Sequence, residues 1–458
     1  MTGGSVAPNE TIAALSTPIG EGGIGIVRLS GPEAIPIVER IFAAADGSSL
    51  TTSLSHRLHY GRIVVEGRRL DEVLVSVMRA PRTYTREDVV EVNCHGGVVA
   101  TQAVLDAVLA GGCRLAERGE FTKRAFLNGR ISLDQARAVL DVVRARTQLG
   151  LEAAVERLGG RFSDAIRDVR EALAEVLADL EAQIDFPDLD VEIDNAALRV
   201  SQLEGWVREL IDQAAQGRVL REGLTVAIVG APNVGKSTLL NALLAEERAI
   251  VTPIPGTTRD TVEEVAAISG VPVRLIDTAG LREPGDPVEA EGVRRSEVAV
   301  EKSDLVLLVI DAGRPLTPED RRLLEREWNR PTVLVVNKID LLDRLKGEPE
   351  GSWQAVVRLS AQEGTALETL CSTILELLLG GKVPARDGVL TLDAWERDLL
   401  RRIEARLTEA QAALAAGRTP DMVVEELRAA YATAGELQGI DVAESILDAI
   451  FSRFCVGK

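Results

Sequence analysis

The segment GAPNVGKS, Gly230 to Ser237, constrains the fold of this chain more than any other stretch. It follows the apolar run LTVAIV, precedes a helix-like segment, and matches the pattern G-x-x-x-x-G-K-[ST]. Glycines let backbone N–H groups curl around a phosphate, and the N-terminus of the next helix favours an anion. A glycine-rich turn without a ligand is the alternative, but the flanking strand and helix argue against it. The sequence therefore predicts an α/β domain with a phosphate loop.

Four later motifs complete a site in which guanine is the expected base. They are GTTRD (Gly256–Asp260), DTAG (Asp277–Gly280) after VRLI, NKID (Asn337–Asp340) after TVLVV, and SAQ (Ser360–Gln362) after AVVRL. An aspartate in NKID can accept two hydrogen bonds from the guanine N1–H and amino group, which adenine cannot offer. Because the five motifs occur in this order at strand ends, they predict a GTP site.

The expected chemistry is metal-assisted phosphoryl transfer to water. Lys236 would neutralise the β- and γ-phosphate oxygens, and the Ser237 hydroxyl would bind Mg²⁺. Leu281 stands where many P-loop GTPases carry a glutamine that orients the attacking water, so another group is needed. Glu283 is the nearest carboxylate, with a surface ion pair as the alternative. The Asn233 amide could bind a second cation that acts like an arginine finger, or it could make only turn hydrogen bonds.

The distribution of strand-like and helical segments along the chain predicts a multidomain α+β and α/β protein. Short β-like runs with one helix occupy the N-terminal part, and helical segments flank a region in which strands and helices alternate. The expected division is an N-terminal α+β domain over 1–122, helical parts over 123–221 and 382–458, and an inserted P-loop GTPase (Ras-like) α/β domain over 222–381. One helix is expected to stop at DFPDLD because of Pro187, and another to end near Gly217.

Charge and cysteine content limit the classes of partner and compartment. The chain has 458 residues and a formal net charge of −19, whereas residues 1–130 contain 14 acidic and 14 basic side chains. All the excess acid therefore lies in 131–458, so the N-terminal region or a partner is the better candidate for binding a polyanion. Four scattered cysteines argue against disulfides and zinc, and no apolar run is long enough to cross a membrane. A reducing cytoplasm is expected.

Several motifs together resemble the MnmE (TrmE) family of tRNA-modification GTPases. They are GAPNVGKS, TPIPGTTRD, DTAGLRE, NKID, IVRLSG, EDVVEVNCHGG, GEFTKRAFLNGR, IDFPD and the terminal FCVGK. The resemblance covers nearly the whole chain. It implies a homodimer whose N-terminal domain binds a tetrahydrofolate derivative, either the 5-formyl or the methylene form. It also implies a flavoprotein partner of the FAD-dependent MnmG type and a carboxymethylaminomethyl-type group at C5 of the wobble uridine of certain tRNAs.

The resemblance also implies roles for individual residues. Asn233 with Thr252, Ile254 and Thr257 would surround K⁺, Ser237 and Thr258 would hold Mg²⁺, and Glu283 would position the attacking water. Folate contacts would come from Arg28, Glu91, Arg130 and Lys458; Arg130 stands where a lysine is common. The GTP-binding set implied by the motifs is Asn233, Val234, Gly235, Lys236, Ser237, Thr238, Thr252, Pro253, Ile254, Pro255, Gly256, Thr257, Thr258, Asp277, Thr278, Ala279, Gly280, Asn337, Lys338, Asp340, Ser360 and Ala361.

Some residues and functions keep an alternative interpretation. Arg28 and Glu91 could be surface charges on edge strands, and His95 is interpreted as a packing or turn residue rather than an acid or base. Cys455 is either a thiol near the one-carbon chemistry or a small buried side chain that positions the tail; its surroundings fit a lipid-anchor box poorly. The alternative functions are a ribosome-assembly or translation-associated GTPase switch without folate chemistry, and a GTPase-regulated scaffold with a vestigial folate site.

Overall fold

The computed structural model describes most of the chain as two compact units. The described residues are 10–186, 193–246, 264–277, 297, 300–341, 349, 351–381 and 390–458. The first unit comprises the described parts of 1–140, 160–171 and 431–458, and the second those of 141–159 and 172–430. The four-domain boundaries stay a prediction.

A seven-stranded sheet forms the first unit's framework, with the strand order β3-β4-β5-β6-β2-β1-β7. Its strands are β1 (Ile12–Leu15), β2 (Gly22–Ser30), β3 (Phe42–Ala44), β4 (Arg57–Val65), β5 (Arg68–Met78), β6 (Val89–Gly96) and β7 (Arg114–Leu115). The strands pair antiparallel except β1 with β7, which pair parallel. Arg28 on β2 lies opposite Glu91 on β6 in this register. Both strands are internal, so the interpretation of these charges as edge-strand residues is wrong.

One face of this sheet is buried because its strands alternate apolar and polar side chains. Val73, Val75 and Val77 of β5 are at most 2% exposed, and Val90 and Val92 of β6 are fully buried. The helices α1 (Ala34–Ile41) and α2 (Val98–Ala110) contribute side chains to the same apolar core. The short strands predicted for the N-terminal part are therefore confirmed, and they alternate with the period of two of half-buried strands.

The remaining described helices are α3 (Glu120–Leu127), α4 (Leu133–Arg144), α5 (Gln148–Leu158), α6 (Arg161–Asp185), α7 (Ile193–Glu222), α8 (Lys236–Glu246), α9 (Pro318–Glu325), α10 (Leu367–Leu379), α11 (Ala394–Ala415), α12 (Pro420–Gln438) and α13 (Glu444–Phe451). In the first unit, Lys123 Nζ on α3 lies 2.6 Å from Asp448 Oδ1 on α13. The helix α6 ends before Pro187, as the sequence predicts.

The second unit contains a six-stranded sheet with the order β13-β12-β11-β8-β10-β9. Its strands are β8 (Leu224–Val229), β9 (Glu264–Ile268), β10 (Val271–Asp277), β11 (Leu305–Asp311), β12 (Thr332–Asn337) and β13 (Ala355–Arg358). All neighbours pair parallel except β9 with β10. Two apolar clusters bury the sheet, one containing side chains of α8 and α10 and the other of α9. The predicted sheet wrapped by helices is confirmed.

The helix α7 corrects one boundary predicted from the sequence. Gly217 was expected to end the helix, but α7 continues to Glu222. A glycine inside a helix costs only about 1 kcal/mol relative to alanine. Val219 and Leu220 belong to the apolar cluster of the sheet, and burying them offsets that cost. Tertiary packing therefore extends α7 past Gly217, despite the low helix propensity of glycine.

In the described residues, no helix is both long and apolar enough to cross a bilayer.

Candidate functional site

The phosphate loop joins the end of β8 to the start of α8 through an unusual backbone. Asn233 and Gly235 have positive φ values of 62° and 98°. A Cβ on Gly230 would lie 2.4 Å from the Val309 carbonyl oxygen, and one on Gly235 would lie 2.3 Å from Asn337 Nδ2. Both glycines are therefore required by the close approach of neighbouring strands' ends, in addition to any contact with phosphate.

Asn337, at the end of β12, holds the phosphate loop in place through its side-chain amide. Its Nδ2 donates to the Val234 carbonyl at 2.9 Å, and its Oδ1 accepts from the Ala361 N–H at 3.0 Å. The side chain is buried, with 2% of the residue exposed. One amide thus ties together the phosphate loop, NKID and SAQ, three motifs that are far apart in sequence.

Lys338 and Asp311 form a second brace. The Lys338 Nζ lies 2.6 Å from the Asn233 carbonyl oxygen and 2.7 Å from Asp311 Oδ2. Asp311 ends β11 and also accepts a hydrogen bond from the Gly313 N–H at 2.8 Å. Sequence reasoning did not select Asp311, although its position at the end of the buried run LVLLVID was a usable signal. The charged Lys338 side chain therefore holds the phosphate loop by bonding to a backbone carbonyl of the loop and not to a side chain of the loop.

The residues expected to contact phosphate and metal lie together at the carboxyl ends of the strands. Lys236 Nζ donates to the carbonyl oxygens of Gly230 and Ala231, at 2.8 and 3.0 Å. The Ser237 hydroxyl lies 3.2 Å from Asp277 Oδ2, at the end of β10. A hydroxyl and a carboxylate are the oxygen ligands that Mg²⁺ prefers, so this pair fits the expected metal site.

The residues that the sequence predicts to read guanine are also adjacent. Ser360 Oγ donates to Asp340 Oδ1 at 2.6 Å, and it accepts a hydrogen bond from the Glu363 N–H at 3.3 Å. Ser360 is fully buried, whereas Asp340 is exposed. The buried serine therefore fixes an exposed carboxylate at the mouth of the site, where a base can reach it.

Part of the expected site lies outside the described residues. This applies to Thr252, Pro253, Ile254, Pro255, Gly256, Thr257, Thr258, Thr278, Ala279, Gly280 and Glu283. Their roles in binding K⁺, Mg²⁺ and GTP and in positioning water stay predictions.

In the first unit, Arg28 and Glu91 form the centre of a second group of functional candidates. Arg28 Nη2 lies 2.7 Å from Glu91 Oε1, and the Arg28 Nη1 donates to the Gly457 carbonyl at 3.2 Å. The guanidinium carbon of Arg28 also lies 5.7 Å from the centroid of the Phe121 ring. The sheet charges predicted from IVRLSG and EDVVE thus meet the C-terminal tail.

Arg130 lies beside an aromatic residue that sequence reasoning missed. Its guanidinium carbon is 5.0 Å from the Tyr84 ring centroid, and its Nη1 donates to the Tyr84 carbonyl at 3.2 Å. The Tyr84 hydroxyl is 2.9 Å from Thr122 Oγ1, and burial raises the pKa of that tyrosine. Aromatic residues form only 3% of the chain, and this scarcity was the signal that could have selected Tyr84 and Phe121.

The C-terminal tail is fixed by its backbone. Val456 forms an antiparallel bridge with Arg118, and the Gly119 N–H donates to the Cys455 carbonyl at 3.4 Å. Ser16 Oγ donates to the Gly457 carbonyl at 3.2 Å. Gly457 has a φ of +92°, and a Cβ there would lie 2.4 Å from the Leu15 carbonyl oxygen. A glycine is therefore required at the point where the tail meets the sheet.

Burial within the tail corrects the interpretation of Cys455 as a small buried side chain. Cys455 is exposed, whereas Phe454 is 2% exposed and its ring centroid lies 5.5 Å from that of Phe451. The phenylalanines therefore anchor the tail and leave the thiol accessible. Burial raises the pKa of Cys94 to about 11 and that of Cys113 to about 12, which disfavours their reactive thiolates.

His95 is not a packing residue. Its side chain is 72% exposed, and its Nδ1 lies 2.6 Å from Asp71 Oδ1. It is not a turn residue either, because it lies in β6 and is paired with Ile24 of β2. In the part of the chain that the structure describes, no cluster of three or more histidine, cysteine or acidic side chains could hold a metal ion.

Comparisons with known proteins identify the family of this chain. A family model described as the GTP-binding protein TrmE N-terminus matches residues 11–130, and one described as the MnmE helical domain matches residues 133–455. Relatives named tRNA modification GTPase MnmE, from Chloroflexus aurantiacus and Geobacillus kaustophilus, are 50% and 47% identical to this chain. Each covers 98% of the chain, and the matches span 100% and 99% of the relatives.

A solved structure of Aquifex aeolicus Era bound to GDP·AlF4⁻ has 31% identity and a TM-score of 0.28, over 40% of this chain and 66% of Era. The family assignment rests instead on the two domain models and on relatives aligned over nearly their full length. The chain belongs to the tRNA modification GTPase MnmE family.

Proposed function

We propose that the chain couples K⁺-activated, Mg²⁺-dependent GTP hydrolysis to modification of the wobble uridine of certain tRNAs at C5. The product is a carboxymethylaminomethyl-type group, made together with an FAD-dependent flavoprotein of the MnmG type. The observation that carries this proposal is the contact between the C-terminal tail and the Arg28–Glu91 pair. A GTPase switch that acts only on ribosome assembly or translation would not need this second site.

Hydrolysis uses two cations and one carboxylate. Ser237 and Thr258 hold Mg²⁺, and the Ser237–Asp277 contact supports this placement. Asn233, Thr252, Ile254 and Thr257 surround K⁺; the bond from Lys338 to the Asn233 backbone leaves the amide side chain unused by that brace. Glu283 positions the attacking water in place of the glutamine that Leu281 replaces.

Guanine and phosphate are bound by the rest of the set given above, which comprises residues 233–238 and 277–280 together with Asn337, Lys338, Asp340, Ser360 and Ala361. Asp340 reads the N1–H and amino group of guanine, and the Ala361 region reads its oxygen. The support is the direct bond between Ser360 and Asp340 and the Asn337 brace.

The first unit binds a tetrahydrofolate derivative, in the 5-formyl or methylene form, as the one-carbon donor. Arg28, Glu91, Arg130 and Lys458 are its contacts, and the half-buried Tyr84 offers aromatic surface for its ring system, with the fully buried Phe121 packed in the cluster behind it. A pterin ring has hydrogen-bonding edges that a carboxylate can bind, and a glutamate tail needs cations. Three contacts within the first unit support this assignment. Arg28 contacts Gly457 of the tail and the Phe121 ring, and Arg130 contacts the Tyr84 ring.

Cys455 is the proposed thiol beside this chemistry, and its exposure is what such a role requires. A Cys455→Ser variant that hydrolyses GTP normally but no longer supports modification would favour chemistry at the thiol. Full modification by this variant would remove the cysteine from the reaction.

The protein acts as a homodimer in the cytoplasm, on tRNA and with the flavoprotein.

The cation requirement tests the GTPase half of the proposal. Hydrolysis is expected to be far faster in K⁺ than in Na⁺ at equal ionic strength, because K⁺ supplies the charge of an arginine finger. Equal rates in the two salts, in protein shown to bind GTP, would contradict this mechanism. Binding of 5-formyltetrahydrofolate, measured by calorimetry on the same preparation, tests the other half.

A further inference from the structure

In the second unit, a small cavity between α7 and α11 is lined by three arginines. Its volume is about 180 Å³, and its walls are Ile211, Ala215, Arg218, Arg397, Leu400 and Arg401. Pockets that take a whole drug-sized ligand measure about 300–1,000 Å³. This cavity is therefore suited to one group of a larger molecule.

Two of the three guanidinium groups share one carboxylate. Glu222 lies 3.9 Å from Arg218 Nη1 and 3.2 Å from Arg397 Nη2, measured to its two oxygens. Arg397 also donates to the Leu392 carbonyl at 2.7 Å. Among the residues that the structure describes, the Arg401 side chain has no hydrogen-bond or ion-pair partner. The cavity wall therefore carries an excess of positive charge.

The two arginines on α11, Arg397 and Arg401, repel each other. Arg397 and Arg401 are four positions apart on α11, and like charges at that spacing destabilise a helix by about 0.2–0.5 kcal/mol. Elsewhere on the same two helices, arginines are matched with acids: Arg208 with Glu204 and Glu404, and Arg406 with Glu426. Arg218 and Arg397 share a single acid, and Arg401 has none among the described residues, so the cavity can accept an anion from outside the chain.

The surroundings identify the kind of anion. Residues 131–458 hold the whole charge excess of −19, so a polyanion is repelled by most of this surface and needs a local basic site. Arginine binds phosphate oxygens bidentately, and Ile211, Ala215 and Leu400 offer an apolar wall to the carbon edge of a sugar. Arg401 and Arg218 are exposed, so the bound group can stay attached to a larger molecule.

We propose that this arginine cavity binds a phosphodiester of the tRNA backbone. The inference rests on the proposed function, since it names the surface by which the tRNA is held. Contacts to phosphate position a nucleic acid without reading its sequence, so this site orients the tRNA and contributes affinity.

The test is tRNA binding by the full-length protein with Arg218→Gln and Arg401→Gln combined, measured from about 50 to about 200 mM salt. Loss of one phosphate contact is expected to weaken binding about tenfold and to reduce the slope of log K against log salt by about 1. Wild-type affinity and slope in this double variant would overturn the proposal.

A matched double variant controls for the change in net charge. Arg208→Gln with Arg406→Gln removes one arginine from each of the same helices, but both are already paired with acids. This control is expected to bind tRNA like the wild type, and an equal loss in both double variants would contradict a specific site. Glu222→Gln removes the competing carboxylate and is expected to tighten tRNA binding; weaker binding would count against the proposal.

Two further readings separate this inference from the proposed function. If the wild type itself does not bind tRNA, the proposed function fails together with the inference. If tRNA binding is kept in the arginine variant but binding of the flavoprotein is lost, the occupant is an acidic protein surface and the RNA assignment is wrong. GTP hydrolysis without tRNA is expected to be unchanged in every variant.

Discussion

Two regions of the molecule are candidate chemical sites, but they are built differently. The phosphate-loop region comprises residues 230–237 with Asn337 and Lys338, and the Arg28 region comprises Arg28, Glu91 and the C-terminal tail with the residues around them. The loop is one contiguous segment, held by Asn337 and Lys338 through backbone oxygens. The Arg28 region joins residues separated by 429 positions, since Arg28 donates to Gly457. The first site is largely preformed by one sheet, whereas the second depends on where the chain's last residues dock. Variants in one region should therefore leave the other unchanged.

The largest expected effect is at Asp340, the residue proposed to read the base in the first site. Asp340→Asn exchanges an acceptor of two hydrogen bonds for a group that presents a donor to guanine. Each hydrogen bond to a charged group is worth about 1.5–3 kcal/mol, so GTP affinity should fall about 100- to 10,000-fold. Titration with a fluorescent GTP analogue measures this change.

There are two controls. The first is folate binding by the Asp340→Asn variant, and the second is GTP binding by Asp421→Asn, which changes an exposed aspartate on α12. Both should match the wild type. A parallel loss of folate affinity would break the separation between the two regions.

The second effect concerns hydrolysis alone. Glu283→Ala should lower the rate of GTP hydrolysis about 100-fold or more, since a positioned general base contributes about 10²–10⁴. GTP affinity should stay nearly unchanged, because the carboxylate acts on water. Single-turnover phosphate release measures the rate, with Glu297→Ala as the control for a neighbouring exposed acid. An active Glu283→Ala enzyme would transfer the role to another residue.

In the Arg28 region, Arg28→Ala should weaken folate binding about tenfold to 100-fold, which corresponds to one hydrogen bond to a charged group. Arg28→Lys should recover only part of the loss, because an ammonium lacks the planar fork of the guanidinium. Arg57→Ala, on β4 of the same sheet, is the matched control. Calorimetry with 5-formyltetrahydrofolate measures each variant. Wild-type affinity in Arg28→Ala would remove this residue from the site.

The smallest effect is a pH dependence confined to the Arg28 region. Burial raises the pKa of Glu120, but hydrogen bonds from Arg114, the Glu117 N–H and Arg124 outweigh burial and leave the pKa below its ordinary 4.5. A depressed pKa means that the ionised group stabilises the fold above pH 4.5 and that this contribution is lost as the pH falls through the folded-state value.

Glu120→Gln should therefore lower the free energy of unfolding by about 1–3 kcal/mol at pH 7, and the difference from the wild type should shrink as the pH falls below 4.5. Urea unfolding at several pH values measures it, and the adjacent exposed Glu117→Gln should have almost no effect. GTP affinity of Glu120→Gln at neutral pH should be unchanged. A difference that grows on acidification would contradict the sign of this linkage.

The two regions also differ in how far their sequence predicted them. The phosphate loop and NKID could be placed at strand ends because each motif directly follows a buried apolar run, and β8 and β12 confirm this. Asp311 also ends a buried run, but its partner Lys338 lies just past the neighbouring strand's end, and spacing along the chain does not reveal that contact.

In the Arg28 region, the sequence alone favoured a different interpretation of the charges. Only the order of strands shows that β2 and β6 are internal, and only tertiary folding brings Gly457 to Arg28. The exposure of Cys455 and the continuation of α7 past Gly217 likewise depend on packing by Phe454 and Val219. Local patterns therefore predicted the elements and the first site, while long-range packing decided the second.

The central claim is that both regions serve one reaction on tRNA. The most direct measurement is mass analysis of wobble uridines in tRNA from a strain that lacks this chain and is complemented with the wild type, Asp340→Asn or Arg28→Ala. The account predicts that the C5 modification is absent without the chain, is restored by the wild type, and is not restored by either variant. Normal modification in the strain that lacks the chain would contradict it.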